Sequence, residues 1–253
     1  KLQPSSHITH KPHFTISNTK PFLKLTQTQT TMTNFAQFYE SWHTQFNNLI
    51  HQLKLSTSTQ TDSEELIQKV LSHHQDYYNA KSMAAEKDPL HVLASPWATT
   101  LERSLHWIAG WRPTTAFHLI YTESSLLFES HIIDILRGFR TGDLGDLSPN
   151  QFRRVSDLQC DTVKEENAIT EELSEWQDSA SDMMGSEADI NDKIERLVSI
   201  IKKADDLRLR TLRSVVEFLS PQQAVEFLIA SAELVVGIRG WGLNHDRSRP
   251  RIR

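Results

Sequence analysis

The 253-residue sequence holds one cysteine, Cys160, which excludes an internal disulfide framework and a cysteine-rich zinc site and fits a reducing compartment. Glycine (8 residues) and proline (9) are also scarce, so the turn density of an all-β protein is missing. Long apolar runs are absent: stretches such as Phe227-Leu228-Ile229-Ala230 fall far short of the roughly 20 residues a membrane span needs. Nor is there an excess of positive charge. The net charge is −5, which gives no bulk electrostatic reason to bind nucleic acid.

The familiar catalytic strings are missing too. The chain has no Gly-x-x-x-x-Gly-Lys or Gly-x-Gly-x-x-Gly phosphate loop, no His-Glu-x-x-His and no Gly-x-Ser-x-Gly. Glu129-Ser130-His131 has the wrong spacing for the Glu-x-x-His of a di-iron bundle. Cys160 has no histidine near it in sequence, which marks it as structural or exposed and not as a nucleophile. The residues therefore predict no enzyme, no metal and no cofactor.

What is present is helical periodicity. Phe35, Phe38, Trp42, Phe46, Leu49 and Leu53 recur at spacings of three and four, one face of a helix beginning near Asn34. Asp62-Ser-Glu-Glu65 reads as the start of the next helix, which carries Val70, Leu71, His73, His74, Tyr77 and Tyr78. Asp88-Pro89 opens a short one. Ser148-Pro149-Asn150-Gln151 and Ser220-Pro221-Gln222-Gln223 open two more with one device: Ser caps, Pro takes the first turn and Gln reaches back. Phe152, Val155, Ile169, Leu173 and Trp176 form a heptad-like seam softened by Gln159, Thr162 and Glu166. The acidic block Glu165, Glu166, Glu171, Glu172 and Glu175 reads as a solvated face. A flexible connection is expected over 178–189, then a helix with Ile194, Leu197, Ile201, Leu212, Val215 and Leu219 inward. The fold class is all-α: a multi-helix bundle with long antiparallel helices and no sheet.

The ends differ in composition. Residues 1–31 contain no Asp or Glu and are crowded with Ser, Thr, Gln, His and Lys; Met32 is the first methionine. They read as a disordered N-terminal extension, open to being upstream sequence rather than native coding sequence. Residues 246–253, with Arg247, Arg249, Arg251 and Arg253, read as a basic disordered tail.

Residues 97–121 hold three of the six tryptophans. Thr99 and Glu102 fit a capping box, Leu101, Leu105 and Ile108 a buried stripe, Gly110 a helix stop and Pro113 a first-turn residue. The segment reads as helix, corner, helix, with another helix over about 125–140. Trp97, Trp107, Trp111 and Phe117 could line an apolar pocket, although tryptophans at a helix corner usually anchor packing.

Several strings resemble the plant Delay of Germination family, whose domain also forms the C-terminal part of TGA-type bZIP transcription factors. Phe38-Tyr39-Glu40-Ser41-Trp42 resembles its opening helix. Trp97, Leu101-Glu102-Arg103, Trp107-Ile108-Ala109-Gly110, Trp111 and Arg112-Pro113 resemble its central signature. Asp146-Leu147-Ser148-Pro149-Asn150-Gln151 and Lys203-Ala204-Asp205-Asp206-Leu207-Arg208 resemble two later segments, as does Leu219-Ser220-Pro221.

The resemblance implies a single domain over 32–245 in a non-enzymatic regulatory protein of seed dormancy, maturation or abscisic-acid signalling, placed in the nucleus, the cytoplasm or both. It implies protein partners, including type 2C phosphatases or transcription factors, with Phe38, Tyr39, Glu40 and Trp42 as partner-binding positions. Residues 1–31 offer no basic region or zipper, so direct DNA binding of the TGA kind is not implied. Haem, bound in some members through two histidines four apart in the last helix, is not carried over, because the matching positions are Val235 and Arg239. The rival reading is a helical domain that senses a small molecule: haem, a lipid or a hormone.

Overall fold

A computed structural model describes residues 22–56, 60–179 and 187–248. Its α-helices are α1 (Phe22–Leu55), α2 (Gln60–Lys87), α3 (Pro89–Ala94), α4 (Thr100–Leu105), α5 (Thr115–Ser130), α6 (Ile132–Leu136), α7 (Pro149–Asp178), α8 (Glu187–Phe218) and α9 (Pro221–Ser248), with a 3₁₀ turn at Leu144–Asp146 before α7. The described residues contain no strand, and no helix among them is long and apolar enough to cross a membrane. The all-α bundle is the observed fold.

Two antiparallel hairpins form the frame. In α1–α2, Phe35 meets Tyr77 while Trp42 and Phe46 meet His73, so residue numbers run in opposite directions. In α7–α8, Glu175–Arg196, Glu172–Lys203 and Glu165–Arg210 ion pairs do the same. These pairs lie at the surface, and each contributes under about 1 kcal/mol; burial holds the frame. One core gathers Phe46, Leu53, Val70, Phe117, Val155, Val215 and Phe227 from α1, α2, α5, α7, α8 and α9. A second joins Ala85, Val92, Ile108, Ile169, Trp176, Leu197 and Leu207 near the far ends of α7 and α8.

The two Ser-Pro-x-Gln caps form as predicted. The Ser148 amide donates to Gln151 Oε1 (2.9 Å) and the Gln151 amide to Ser148 Oγ (3.3 Å); Ser220 and Gln223 repeat both distances. They also meet, because Gln151 Nε2 donates to Gln223 Oε1 at 2.7 Å. One device used twice thus ties the start of α7 to the start of α9. Asp88 likewise caps α3 by accepting from the His91 amide at 2.9 Å.

Several expectations need correction. Helix α1 begins at Phe22, well before Asn34, and α2 at Gln60, before Asp62; neither stretch contains a Pro or Gly to stop the helix. Helix α5 runs unbroken through 121–125, and the chain breaks instead at His131, so the expected 125–140 helix is the end of α5 plus a one-turn α6. Phe152 and Leu105 are exposed, not buried. Thr162 and Glu166 are buried in the α7 seam, so its middle is polar yet closed. Helix α9 extends to Ser248 because Asp246 accepts from the Thr100 amide at 3.0 Å, anchoring the last turn to α4. Residues 1–21, most of the 178–189 connection and residues 249–253 lie outside the described residues.

Candidate functional site

The corner after α4 is built from a local cap and a distant clamp. Thr99 and Glu102 form the predicted capping box: the Thr99 amide donates to Glu102 Oε2 (2.7 Å), and the Glu102 amide to Thr99 Oγ1 (3.2 Å). After Leu105 the backbone takes two consecutive left-handed residues, Ile108 (φ 48°) and Ala109 (φ 59°). Side chains rarely accept this conformation, β-branched ones least, at a cost of about 1–3 kcal/mol each. Something must hold it.

Arg208, fully buried on α8, does so. Its guanidinium donates to the carbonyls of Trp111 (2.6 Å), Ile108 (3.0 Å) and Trp107, and to Asp205 Oδ1 (2.5 Å). Lys81 of α2, also fully buried, donates to the Ala109 carbonyl (2.7 Å) and to the same Asp205 oxygen (2.9 Å). Four of the five corner carbonyls from Trp107 to Trp111 are thereby satisfied by two buried cations sharing one carboxylate, and the fifth, of Gly110, accepts from the Trp107 amide (2.7 Å). Burial pushes the Lys81 ammonium down to about 8, against the pull of Asp205. His106 beside it falls to about 4, from burial first and then from Lys81 and Arg208.

Gly110 is not the left-handed helix stop that its sequence context suggests. Its φ is not positive, and a Cβ there would lie 3.0 Å from the Arg208 guanidinium carbon. The missing side chain makes room for Arg208. Glu166 corrects the acidic-face reading in the same way: it is 1% exposed and accepts from the Thr114 amide (2.7 Å), Thr114 Oγ1 (3.2 Å) and Arg112 Nε (2.8 Å). It therefore caps α5 from α7, while Pro113 is buried beside it.

The tryptophans are anchored at their indole nitrogens. Trp107 donates to Thr170 Oγ1 and Trp111 to the Tyr78 hydroxyl, each at 2.9 Å. Trp97 meets Phe35 edge-on at 4.5 Å. Trp97 and Trp107 pack on the second core, Trp111 and Phe117 in the first, so the four do not converge on one pocket. A cavity of about 490 Å³ opens elsewhere, lined by Ile67, Leu71, Val216 and Leu219. Among the described residues no cluster of His, Cys, Asp or Glu could hold a metal.

The α1 motif docks onto this same corner. The Tyr39 hydroxyl donates to Glu102 Oε1 (2.9 Å), and Arg239 of α9 lies 4.9 Å over the Tyr39 ring. Arg239 donates to Glu102 Oε2 (3.3 Å) and to Glu40 Oε1 (2.5 Å). Burial opposes the Glu102 charge, but hydrogen bonds from Thr99 and Tyr39 and the Arg239 charge outweigh it and hold the carboxyl below its usual range. His43, buried against Tyr39, is pushed down to about 4 by burial and then by Arg239. Trp42 stacks on His73 at 4.8 Å; its indole donates to the His73 carbonyl (2.9 Å), and His73 Nε2, as an N–H, donates to the Trp42 carbonyl (3.0 Å).

Tyr39 and Trp42 are thus buried and Phe38 half-buried, leaving Glu40 (65% exposed side chain) and Arg103 at the surface. Lys81, Asp205, Arg208 and Arg239 were not singled out as site residues by sequence reasoning. The one available signal was charge inside an apolar helical stripe, as with Asp205 and Arg208 among Ala204, Leu207 and Leu209.

The comparisons follow the same landmarks. The family described as DOG1, Seed dormancy control, matches residues 45–122, from mid-α1 through the corner into α5. Protein DOG1-like 4 of Arabidopsis thaliana is 31% identical, covering 82% of this chain and 91% of that protein. The chain belongs to the DOG1 family. Protein DOG1-like 2 of the same plant is 27% identical over 84% of the chain and 89% of its own length. Transcription factor TGA2.3 of Oryza sativa subsp. japonica is 23% identical, covering 79% of the chain and 60% of the factor. In this DOG1-family chain the corner, the α1 motif and the last helix form one connected polar assembly.

Proposed function

We propose that this DOG1-family chain is a non-enzymatic regulatory module that works by binding other proteins through the exposed edge of the α1 motif beside the corner. The observation that carries the reading is the Tyr39–Glu102–Arg239–Glu40 network. It fixes an exposed carboxylate on a buried framework, and a partner then meets a surface already in place, with little ordering left to lose on binding. The family resemblance supports a role for the module in seed dormancy, maturation or abscisic-acid signalling, with type 2C phosphatases as partners. The likeness to TGA factors supports a further role in regulating transcription, exerted through a partner and located in the nucleus, the cytoplasm or both.

The test uses the full chain and purified proteins. Immobilised chain should retain a type 2C phosphatase or a TGA-type transcription factor, and Glu40→Ala should weaken that retention without unfolding the chain. Retention of neither protein, or retention indifferent to Glu40→Ala, would reject the reading.

A further inference from the structure

A cavity of about 490 Å³ opens between α2, α8 and the start of α9, and none of its lining residues belongs to the corner or to the α1 motif. The path of the chain creates it. Helices α2 and α8 run antiparallel, with Glu86–Lys202, Lys81–Asp205 and Gln75–Arg213 contacts at successive levels. By that register α8 ends near the level of Val70, where the chain turns through Ser220 into α9, while α2 reaches back to Gln60. The first turns of α2 therefore overhang the turn, and a groove is left beneath them. Its floor is apolar: Ile67, Leu71, Val216 and Leu219 all belong to the first core.

The rim is charged. Glu64 and Gln68 stand on the α2 side and Arg213 and Glu217 on the α8 side, all four exposed. Arg213 donates to Gln75 Oε1 at 3.0 Å, and the nearby Lys69 is engaged by Glu65 at 2.6 Å. Glu64 and Glu217 have no ion-pair partner among the described residues. Two uncommitted carboxylates, which can only accept hydrogen bonds, thus border one apolar floor from two sides. An anion would meet two like charges for one opposite charge. A bare metal ion would need carboxylates that converge, and no such cluster exists among the described residues. The group that matches both sides carries positive charge at two points, with methylenes between them.

We propose that this cavity binds a short aliphatic polyamine. Its ammonium groups pair with Glu64 and Glu217, and the chain between them lies on Ile67, Leu71, Val216 and Leu219. The cavity falls within the roughly 300–1,000 Å³ of small-ligand sites. The pairs form at an exposed rim, where water and salt screen them, so the affinity is modest and falls as ionic strength rises. Arg213 is the one like charge at the rim, and the ligand binds in spite of it. Once bound, the polyamine ties the first turns of α2 to the end of α8.

Isothermal titration calorimetry of the full chain with spermidine, at low and at high salt, tests this. Wild type should show saturable binding that weakens with salt. Glu64→Gln and Glu217→Gln should each weaken it by about threefold, and the two together by about tenfold. Arg213→Gln, which removes the like charge, should tighten it by about twofold. The chain carrying both E129Q and E171Q loses two exposed carboxylates on α5 and α7, far from the groove in sequence. It should bind as wild type does, which separates a site from general attraction to an acidic protein. Butylamine, with a single ammonium, should bind at least about tenfold more weakly than spermidine, and the dianion glutarate should not bind. All the substituted positions are exposed, and helical circular dichroism checks that the fold is kept. No saturable binding of spermidine, a preference for glutarate, or equal losses in the rim and control double variants would overturn the proposal.

Discussion

Replacing Arg208 by Met is the most severe test of how the corner is held. The side chain keeps much of its apolar bulk, but its bonds to the carbonyls of Trp107, Ile108 and Trp111 and to Asp205 are lost in a fully buried setting. Breaking one side of a buried, hydrogen-bonded ion pair costs about 3–5 kcal/mol, because the groups left behind are desolvated without partners. Ile108 and Ala109 also lose the bonds that offset their left-handed backbone. For a domain of this size the loss corresponds to a Tm lowered by about 10 °C. Urea unfolding followed by tryptophan fluorescence gives the free energy, with Trp107 and Trp111 as reporters inside the corner. Lys203→Ala, which removes only a surface pair with Glu172, should stay within about 1 kcal/mol of wild type. If R208M were no more destabilising than K203A, the clamp reasoning would be wrong.

Other outcomes follow from the same geometry. Gly242→Ala should destabilise by about 1–3 kcal/mol, since a Cβ there would sit 2.2 Å from Thr99 Oγ1; Gly240→Ala, which meets nothing within 4 Å, should be neutral or slightly stabilising, and thermal unfolding of both variants checks this. Glu166→Gln should cost about 1–3 kcal/mol by weakening the charge-assisted bonds to Arg112 and Thr114, whereas Glu172→Gln at the surface should cost under about 1 kcal/mol, measured by the same urea titration. Acid should weaken the fold through His43. Its folded pKa of about 4 lies below the ordinary 6.5, so its contribution is complete above 6.5 and is lost as pH falls from 6.5 to 4. Removing it in His43→Asn should flatten the stability-versus-pH curve in that window by about 1.4 kcal/mol per pH unit; an unchanged slope would contradict the assignment.

The residues that were legible in the sequence are those whose partners lie within one helical turn. Thr99 with Glu102, Ser148 with Gln151 and Ser220 with Gln223 could be named because a capping box is three residues long. Gly110 looked like a helix stop by the same local logic and is not one, because its real neighbour, Arg208, belongs to a helix far along the chain. Glu166 could not be told from Glu165 or Glu172 in an acidic run, because its bond to the Thr114 amide at the start of α5 arises only from packing across the bundle. Leu105 reads as buried by periodicity, but α4 is a single short helix, and the chain leaves it before that face closes. The candidate site was half visible: the α1 motif and the corner could be named, while Lys81, Asp205, Arg208 and Arg239, which lock them together, are set by tertiary packing.

The central claim is that the Glu40 edge of α1, held by Arg239 and Glu102, is a protein-binding surface. Isothermal titration calorimetry of the full chain against a purified type 2C phosphatase, with wild type and Glu40→Ala in parallel, tests it most directly. The account predicts saturable binding by wild type, at least about tenfold weaker binding by E40A, and Tm values within about 4 °C of each other, as befits a largely exposed side chain. Equal affinity for both proteins, or no heat of binding from either, would contradict it.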